Sequence, residues 1–139
     1  MPAGFFREIE EEVTSLLSEL IRTNTSNPPG NETQAAKYLT QALEKDGFEC
    51  EFFESAPNRG SLVTRLRGNG EKPSVLLLSH VDVVPADAKE WTVDHFAGLV
   101  KGGFVWGRGA LDMKSMTTIE VMVLKLLKRN RIKLKGDVV

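Results

Sequence analysis

The residues of this chain that are best suited to chemistry are one histidine and two aspartates. His80 and Asp82 lie just after the apolar run 75–78. Side chains two residues apart in an extended strand project from the same face, so the imidazole and the carboxylate are expected to lie together. Asp112 follows the glycine-rich segment 107–109, and glycine permits close backbone approach there. Imidazole nitrogen and carboxylate oxygen are ligands of zinc-type sites, so the pattern predicts metal binding.

Each of these motifs alone is also compatible with an ordinary structural role. A His-x-Asp pair is common at strand ends, and an aspartate after glycine can simply cap the next helix. His95 is the other imidazole of the chain. A position beside the site or facing solvent is favoured for it over metal ligation. Cys50 has no Cys or His at ligand spacing and is interpreted as a small core hydrophobe.

Together, the motifs resemble those of the M20 family of zinc-dependent peptidases and amidohydrolases. The family includes carboxypeptidases, aminoacylases, acetylornithine deacetylase and succinyl-diaminopimelate desuccinylase. The resemblance rests on LLLSHVDVVP at residues 76–85, on Trp91 with the Asp-His-Phe of residues 94–96, and on GRGALDMK at residues 107–114. Two motifs in the family's order, about thirty residues apart, are far more specific than either alone. The similarity extends from about Phe5 to the end of the chain.

The resemblance implies a role for each of the three candidate residues. It implies that His80 ligates one zinc ion, that Asp112 bridges two zinc ions, and that Asp82 hydrogen-bonds His80 and fixes its tautomer. Two metal ions can share a bridging carboxylate and a water, lower the pKa of that water and polarise the scissile carbonyl. The implied reaction is hydrolysis of a peptide or N-acyl amide bond of a small amino-acid-containing substrate. Zn²⁺ is the implied cofactor, with Co²⁺ and Mn²⁺ as alternatives.

The resemblance also implies that residues 1–139 are the amino-terminal portion of an M20-type catalytic domain, without the family's lid and dimerisation domain. The family's general-base glutamate and its remaining metal ligands would follow Val139. With His80 and Asp112 as the direct ligands, zinc would be held weakly and its water would have no base, so the chain alone is predicted to be inactive. The alternative is a non-catalytic binding or assembly module that retains the front half of the fold.

Apolar residues at helical spacing predict three helices. They run from about Phe5 to Arg22, from Asn31 to about Asp46, and from Met113 to about Lys128. Asn31 is expected to cap the second helix through its side chain. The acidic residues of the first helix are interpreted as a solvated face, and the basic residues 128–131 as a favourable helix end and nothing more.

The third predicted helix is apolar over a broad face. Val121 and Met122 lie beside its main stripe, which consists of Met116, Ile119, Val123, Leu124, Leu126 and Leu127. Such breadth predicts burial on more than one side. A methionine-rich interaction groove is the alternative, and core packing is favoured over it.

Strands are predicted at residues 48–52, 61–67 and 75–78, with a small hairpin at residues 99–106. The unbroken apolar run 75–78 is typical of a strand buried on both faces in the middle of a parallel sheet. Residues 134–139 resemble the opening of another strand. Together these elements predict an α/β fold, a three-layer sandwich with a mostly parallel central sheet, of which this chain forms the incomplete front half.

Composition limits the partners and the location of the protein. Eighteen basic and nineteen acidic residues give a formal net charge of −1, which argues against nucleic acid and anionic membranes as partners. No apolar run approaches membrane-spanning length, and the amino terminus turns acidic before a signal-peptide core develops. The single cysteine predicts a reducing, cytoplasmic location. The predicted partners are a small peptide or N-acyl amino acid substrate of the full-length protein and, through an exposed sheet edge, another copy of the chain.

Overall fold

Three α-helices share a hydrophobic core in the computed structural model, which describes residues 3–139. They are α1 Ala3–Arg22, α2 Glu32–Glu44 and α3 Lys114–Arg129, so the predicted helices are confirmed within about two residues at each end. None of them is long and apolar enough to cross a membrane, as judged over the described residues. The prediction that the amino terminus lacks a signal-peptide core also includes Met1 and Pro2, which lie outside the described residues. The core is built from side chains of all three helices and one loop: Leu16, Leu20, Ala35, Leu39, Ala42, Leu43, Phe48, Val121, Met122 and Leu124.

Two antiparallel strand pairs are present, and the second confirms the predicted hairpin at residues 99–106. In the first pair, β1 Cys50–Glu54 lies against β2 Gly60–Thr64, with Cys50 opposite Thr64. In the second, β3 Leu99–Lys101 lies against β4 Phe104–Trp106. Cys50 is a free cysteine, half-buried against the helical core, as expected for a small core hydrophobe. The α/β class is therefore confirmed.

The apolar run 75–78 is not buried on both faces within this chain. Leu76 is 65% exposed and Leu78 is 77% exposed. The run nevertheless pairs in parallel with the last residues of the chain, since Leu77 N donates to Val139 O at 2.8 Å. In residues 3–139 both sheets are two-stranded and antiparallel, so the three-layer sandwich with a parallel centre stays a prediction. The expected burial fails because no described element covers the face that carries Leu76 and Leu78.

The packed face of α3 also differs from the prediction. Val121 and Met122 are 6% and 4% exposed, whereas Met116 and Ile119 are 44% and 51% exposed. The predicted main stripe is therefore open at its amino-terminal end, whereas Leu124 of the same stripe is 5% exposed and enters the core. Val121 and Met122, the two residues beside the stripe, enter the core as well. The helix is apolar around more of its circumference than α1 and α2 cover, so spacing alone did not identify the covered face.

Asn31 occupies the N-cap position of α2, but its side chain does not cap the helix. Its Nδ2 donates to Asn24 O at 3.5 Å in the preceding loop instead. The first-turn N–H groups have other acceptors, since Thr33 N donates to Asn58 O at 3.1 Å and Gln34 N donates to Asn31 O at 3.3 Å. The predicted side-chain cap is therefore wrong, although the helix begins where expected.

An ion-pair cluster of Glu12, Asp46, Lys125 and Arg129 joins the three helices. Lys125 Nζ lies 2.5 Å from Glu12 Oε1 and 3.1 Å from Asp46 Oδ2. Arg129 donates two hydrogen bonds to each carboxylate, at 2.5 and 2.9 Å to Glu12 and at 2.6 and 2.8 Å to Asp46. The solvated-face interpretation is therefore wrong for Glu12, and the basic end of α3 is more than a favourable helix end.

We expect the ion-pair cluster to make the free energy of unfolding depend on pH. The hydrogen bond from Arg129 lowers the pKa of Glu12 despite burial. Burial alone would raise the pKa of Asp46, but hydrogen bonds from Arg129 and Lys125 lower it overall. Carboxylates with a lowered folded pKa bind fewer protons when folded. Their contribution is therefore complete above the ordinary carboxyl range, about pH 4, and is lost as pH falls through the lowered values.

Urea unfolding measured from about pH 7 down to about pH 3 checks this expectation. The wild-type chain should lose stability steeply below about pH 4. A Glu12→Gln, Asp46→Asn double variant should lose less over the same range, because neither amide titrates. Equal pH dependence in the two proteins would contradict the role assigned to the cluster.

Candidate metal centre

His80 lies between the two aspartates that the sequence singled out. Its Nε2 is 3.2 Å from Asp112 Oδ1, and its Nδ1 is 3.1 Å from Asp82 Oδ1. The His80 side chain is half exposed, and that of Asp112 is 88% exposed. The structure therefore brings all three predicted site residues together, at a place open to solvent.

The segment 80–83, which follows the apolar run 75–78 and contains His80, is held in place by the loop before α2. Thr25 Oγ1 donates to Val81 O at 2.5 Å. Val83 N donates to Thr25 O at 3.1 Å, and Asn27 N donates to Val83 O at 2.9 Å. These bonds form a parallel bridge between Ser26 and Val83. His80 and Asp82 are thus held by backbone pairing as well as by their own side chains.

Asn27 contacts the site directly, although its sequence position indicated only a loop. Its Nδ2 donates to Asp82 Oδ2 at 3.0 Å. This hydrogen bond, and then the neighbouring His80 imidazole, hold the pKa of Asp82 below its ordinary value despite partial burial. Asp82 is therefore suited to act as a carboxylate acceptor for the Nδ1–H group of His80. An asparagine before proline signals an extended or turn residue, and no pattern in the sequence connects it with residue 82.

The glycine-rich turn delivers Asp112 to the start of α3. Gly109 has a φ of +85°, and a Cβ at this position would lie 2.7 Å from Val83 Cγ1. The close backbone approach that the sequence predicted is therefore present at Gly109. The peptide bond between Asp112 and Met113 is cis. Lys114 N donates to Gly109 O at 2.9 Å, which closes the turn.

Lys114, the first residue of α3, is fully buried. Its Nζ donates to Leu20 O at 2.9 Å and to Thr23 O at 2.7 Å. These carbonyls lie at the carboxy-terminal end of α1, where backbone acceptors lack helical partners and a cation is favoured. Burial lowers the pKa of Lys114 to about 8. Lys114 thus ties the turn that carries Asp112 to α1, a role that no sequence signal indicated.

His95 lies in a different environment from His80. Its ring centroid is 5.8 Å from that of Trp91 and 4.6 Å from that of Phe96. Its Nδ1 is buried without a hydrogen-bond partner among the described residues. The structure therefore places His95 in an aromatic group.

The donor set at His80 fits a divalent ion of the zinc type. Two ligands of a tetrahedral zinc ion, each about 2.0–2.1 Å from the metal, lie about 3.3 Å apart. The 3.2 Å between His80 Nε2 and Asp112 Oδ1 matches that separation. Asp82 on the opposite ring nitrogen is the partner that a metal-bound histidine normally has. Within residues 3–139, no group of three or more His, Cys, Asp or Glu side chains is arranged to hold a metal ion, so these residues supply two ligands.

The sequence around this site matches a known family. Residues 76–139, which include His80 and both aspartates, match the model of peptidase family M20/M25/M40. Over 126 residues the chain is 33% identical to aminoacylase-1 of Sus scrofa, an alignment that covers 88% of this chain and 30% of that protein. Over 117 residues it is 36% identical to succinyl-diaminopimelate desuccinylase of Psychromonas ingrahamii, an alignment that covers 84% of this chain and 30% of that protein.

The fold is similar to that of an M20 family metallo-carboxypeptidase from Sulfolobus solfataricus. The TM-score is 0.77 at 24% sequence identity, and the match covers 91% of this chain and 29% of that one. At this identity the likeness shows the fold alone. The chain spans about 30% of the length of the curated relatives it matches.

Proposed function

The chain belongs to peptidase family M20/M25/M40, and we propose that it supplies part of the metal centre of a hydrolase that cleaves a peptide or N-acyl amide bond. His80 and Asp112 are the direct metal ligands in this proposal, and Asp82 orients His80. The observation that carries it is the 3.2 Å between His80 Nε2 and Asp112 Oδ1, with Asp82 on the other ring nitrogen. The similarity to an aminoacylase and a desuccinylase supports a small acyl amino acid or peptide as the substrate class.

Zn²⁺ is the proposed metal, with Co²⁺ or Mn²⁺ as alternatives, and in a complete site Asp112 would be the ligand shared by two ions. The bound metal would lower the pKa of a water and polarise the scissile carbonyl. The backbone O and the carboxylate Oδ1 of Asp82 both lie 3.1 Å from Nδ1 of His80, and these two acceptors favour the proton on Nδ1, which leaves Nε2 unprotonated on the side that faces Asp112. The Asp112 carboxylate adds negative charge at that same place and favours a cation there.

Zinc binding by the 139-residue chain tests the proposed site. We expect calorimetry and NMR titration to show weak binding that perturbs the His80 resonances. His80→Ala and Asp112→Asn should each lower the affinity at least about tenfold, because each removes one of two ligands. His95→Ala removes the other imidazole and should bind zinc as the wild type does. Equal affinity in the wild type and His80→Ala would contradict the site.

The same samples test the proposal that the chain by itself is inactive. Two ligands leave the metal weakly held, and Asp82 is already engaged by Asn27 and His80, so Asp82 is not free to act as the base for a water. Incubation with zinc and an N-acetyl amino acid or a dipeptide should give no turnover above that of zinc in buffer. Turnover that disappears in His80→Ala would show that residues 3–139 already contain a working centre.

A non-catalytic assembly module is the second candidate function, and the open apolar face at Leu76 and Leu78 favours it. The groove beside this run has a volume of about 450 Å³ and is lined by β2, α2 and α3. In a longer polypeptide, we propose that the same face is covered by a further layer and that the run becomes an inner strand of a parallel sheet. Concentration-dependent mass in sedimentation, together with no zinc binding, would favour the assembly module.

The cytoplasmic location stays a prediction.

A further inference from the structure

Asn27 is fixed beside Asp82 through both its backbone and its side chain. Its backbone N donates to Val83 O at 2.9 Å, and its Nδ2 donates to Asp82 Oδ2 at 3.0 Å. The backbone hydrogen bond fixes Asn27 beside Val83. From that position its side-chain amide donates to one oxygen of the Asp82 carboxylate, Oδ2. The Asn27 amide is therefore placed to act on Asp82.

The two oxygens of the Asp82 carboxylate have separate partners. Oδ2 accepts from Asn27, and Oδ1 lies 3.1 Å from Nδ1 of His80. A carboxylate has two equivalent oxygens and turns readily about its last bond. The donor on Oδ2 removes that freedom and leaves Oδ1 directed at the imidazole.

Arg59 determines which end of the Asn27 amide faces Asp82. Its Nη1 lies 3.5 Å from Asn27 Oδ1, and its Nε lies 2.7 Å from Glu32 Oε2. A guanidinium only donates, so the amide oxygen belongs on the Arg59 side and the NH₂ group on the Asp82 side. Arg59 packs against the backbone of Gly30, where a Cβ would lie 2.8 Å from its Nε. The loop formed by residues 28–30, Pro-Pro-Gly, thus leaves room for the Arg59 side chain beside Asn27.

We propose that Asn27 is a positioning residue that acts through Asp82 to hold His80 with its proton on Nδ1 and its free Nε2 toward Asp112. This inference rests on the proposed metal-dependent function. In this role Asn27 contacts Asp82 and does not itself bind the metal or the substrate. Its effect is to fix the carboxylate that, together with the backbone O of Asp82, favours this tautomer and this orientation of a metal-ligating imidazole.

Two variants remove the amide donor in different ways. Asn27→Ala deletes it, and Asn27→Leu deletes it while keeping nearly the same bulk, so that one folded variant is available if the other unfolds. Asn31→Ala is the matched control, because Asn31 has the same side chain in the same loop and bonds to Asn24 O. Thermal unfolding of each variant separates loss of fold from loss of positioning.

Two measurements then decide the proposal. In the metal-free chain at alkaline pH, long-range ¹H–¹⁵N NMR should show Nδ1–H as the main tautomer of neutral His80 in the wild type and in Asn31→Ala. Its share should fall at least about twofold in the Asn27 variants. In zinc titrations, the dissociation constant should rise about tenfold in the Asn27 variants and stay unchanged in the control.

An unchanged His80 tautomer together with unchanged zinc affinity in the folded Asn27 variants would overturn the proposal and leave Asn27 as a loop contact. If the wild type binds no zinc at His80, the proposed metal centre fails. The tautomer comparison in the metal-free chain still decides the role of Asn27 in that case. The two failures are therefore distinguishable.

Discussion

Lys114→Ala is expected to lower the free energy of unfolding by up to about 3 kcal/mol at neutral pH. The substitution removes a fully buried side chain whose Nζ donates to Leu20 O and Thr23 O. Loss of three buried methylene groups costs about 2–3 kcal/mol. A buried acceptor left without a donor costs about 1–3 kcal/mol, and this cost falls mainly on Thr23 O because Leu20 O also accepts from a backbone N–H.

The charge of Lys114 opposes these terms. Burial lowers its pKa to about 8, so the amine is still mostly protonated at neutral pH. A depression of that size corresponds to about 3 kcal/mol of unfavourable desolvation, which alanine relieves. The packing and hydrogen-bond losses add to about 3–6 kcal/mol, so after the relieved desolvation the net effect is a destabilisation of up to about 3 kcal/mol.

Urea unfolding at neutral pH checks this expectation when Lys114→Ala is compared with two further variants. Lys114→Met keeps most of the buried stem and loses only the ammonium group, so the lost hydrogen bonds and the relieved desolvation nearly cancel, and stability should stay the same or rise by up to about 2 kcal/mol. Lys37→Ala, at an exposed position of α2, should change stability by no more than about 0.5 kcal/mol. If Lys114→Ala behaved like Lys37→Ala, the lysine would not hold the end of α1.

The features that the sequence predicted correctly depend on local geometry. Alternation in an extended strand placed His80 and Asp82 on one side, and their ring and carboxylate atoms are 3.1 Å apart. The glycines before Asp112 predicted a close approach, and Gly109 makes it against Val83. Helical spacing likewise fixed the bounds of α1, α2 and α3, because each helix carries its own apolar repeat.

The features that the sequence did not predict depend on which distant segment covers a residue. The run 75–78 has the composition of a buried strand, but burial requires a covering layer. Glu12 has the pattern of a solvated face until Arg129, 117 residues away, binds it. Asn27 and Lys114 act through partners 55 and 94 residues away. Periodicity records the preference of a side chain for burial or solvent, and it does not identify the partner.

Gly109→Ala is expected to destabilise the chain by about 2–5 kcal/mol and to disturb the turn that presents Asp112. Two costs add here. A φ of +85° is unfavourable by about 1–2 kcal/mol for a residue with a Cβ. The added Cβ would also lie 2.7 Å from Val83 Cγ1 and 3.1 Å from Lys114 Cδ. Both neighbours are buried and Val83 is β-branched, so neither yields readily, and such overpacking costs about 1–3 kcal/mol.

Gly103→Ala separates the two costs. Gly103 has a φ of +81° in the turn between β3 and β4, and its Cβ would meet nothing within 4 Å. Urea unfolding should therefore give only the backbone cost for Gly103→Ala, about 1–2 kcal/mol, with zinc affinity unchanged. Gly109→Ala should lose more stability and also bind zinc more weakly, because Val83 adjoins Asp82 and Lys114 adjoins the Asp112 turn. Equal losses of stability in the two variants, with zinc affinity preserved in both, would show that packing at Gly109 does not hold the two halves of the site together.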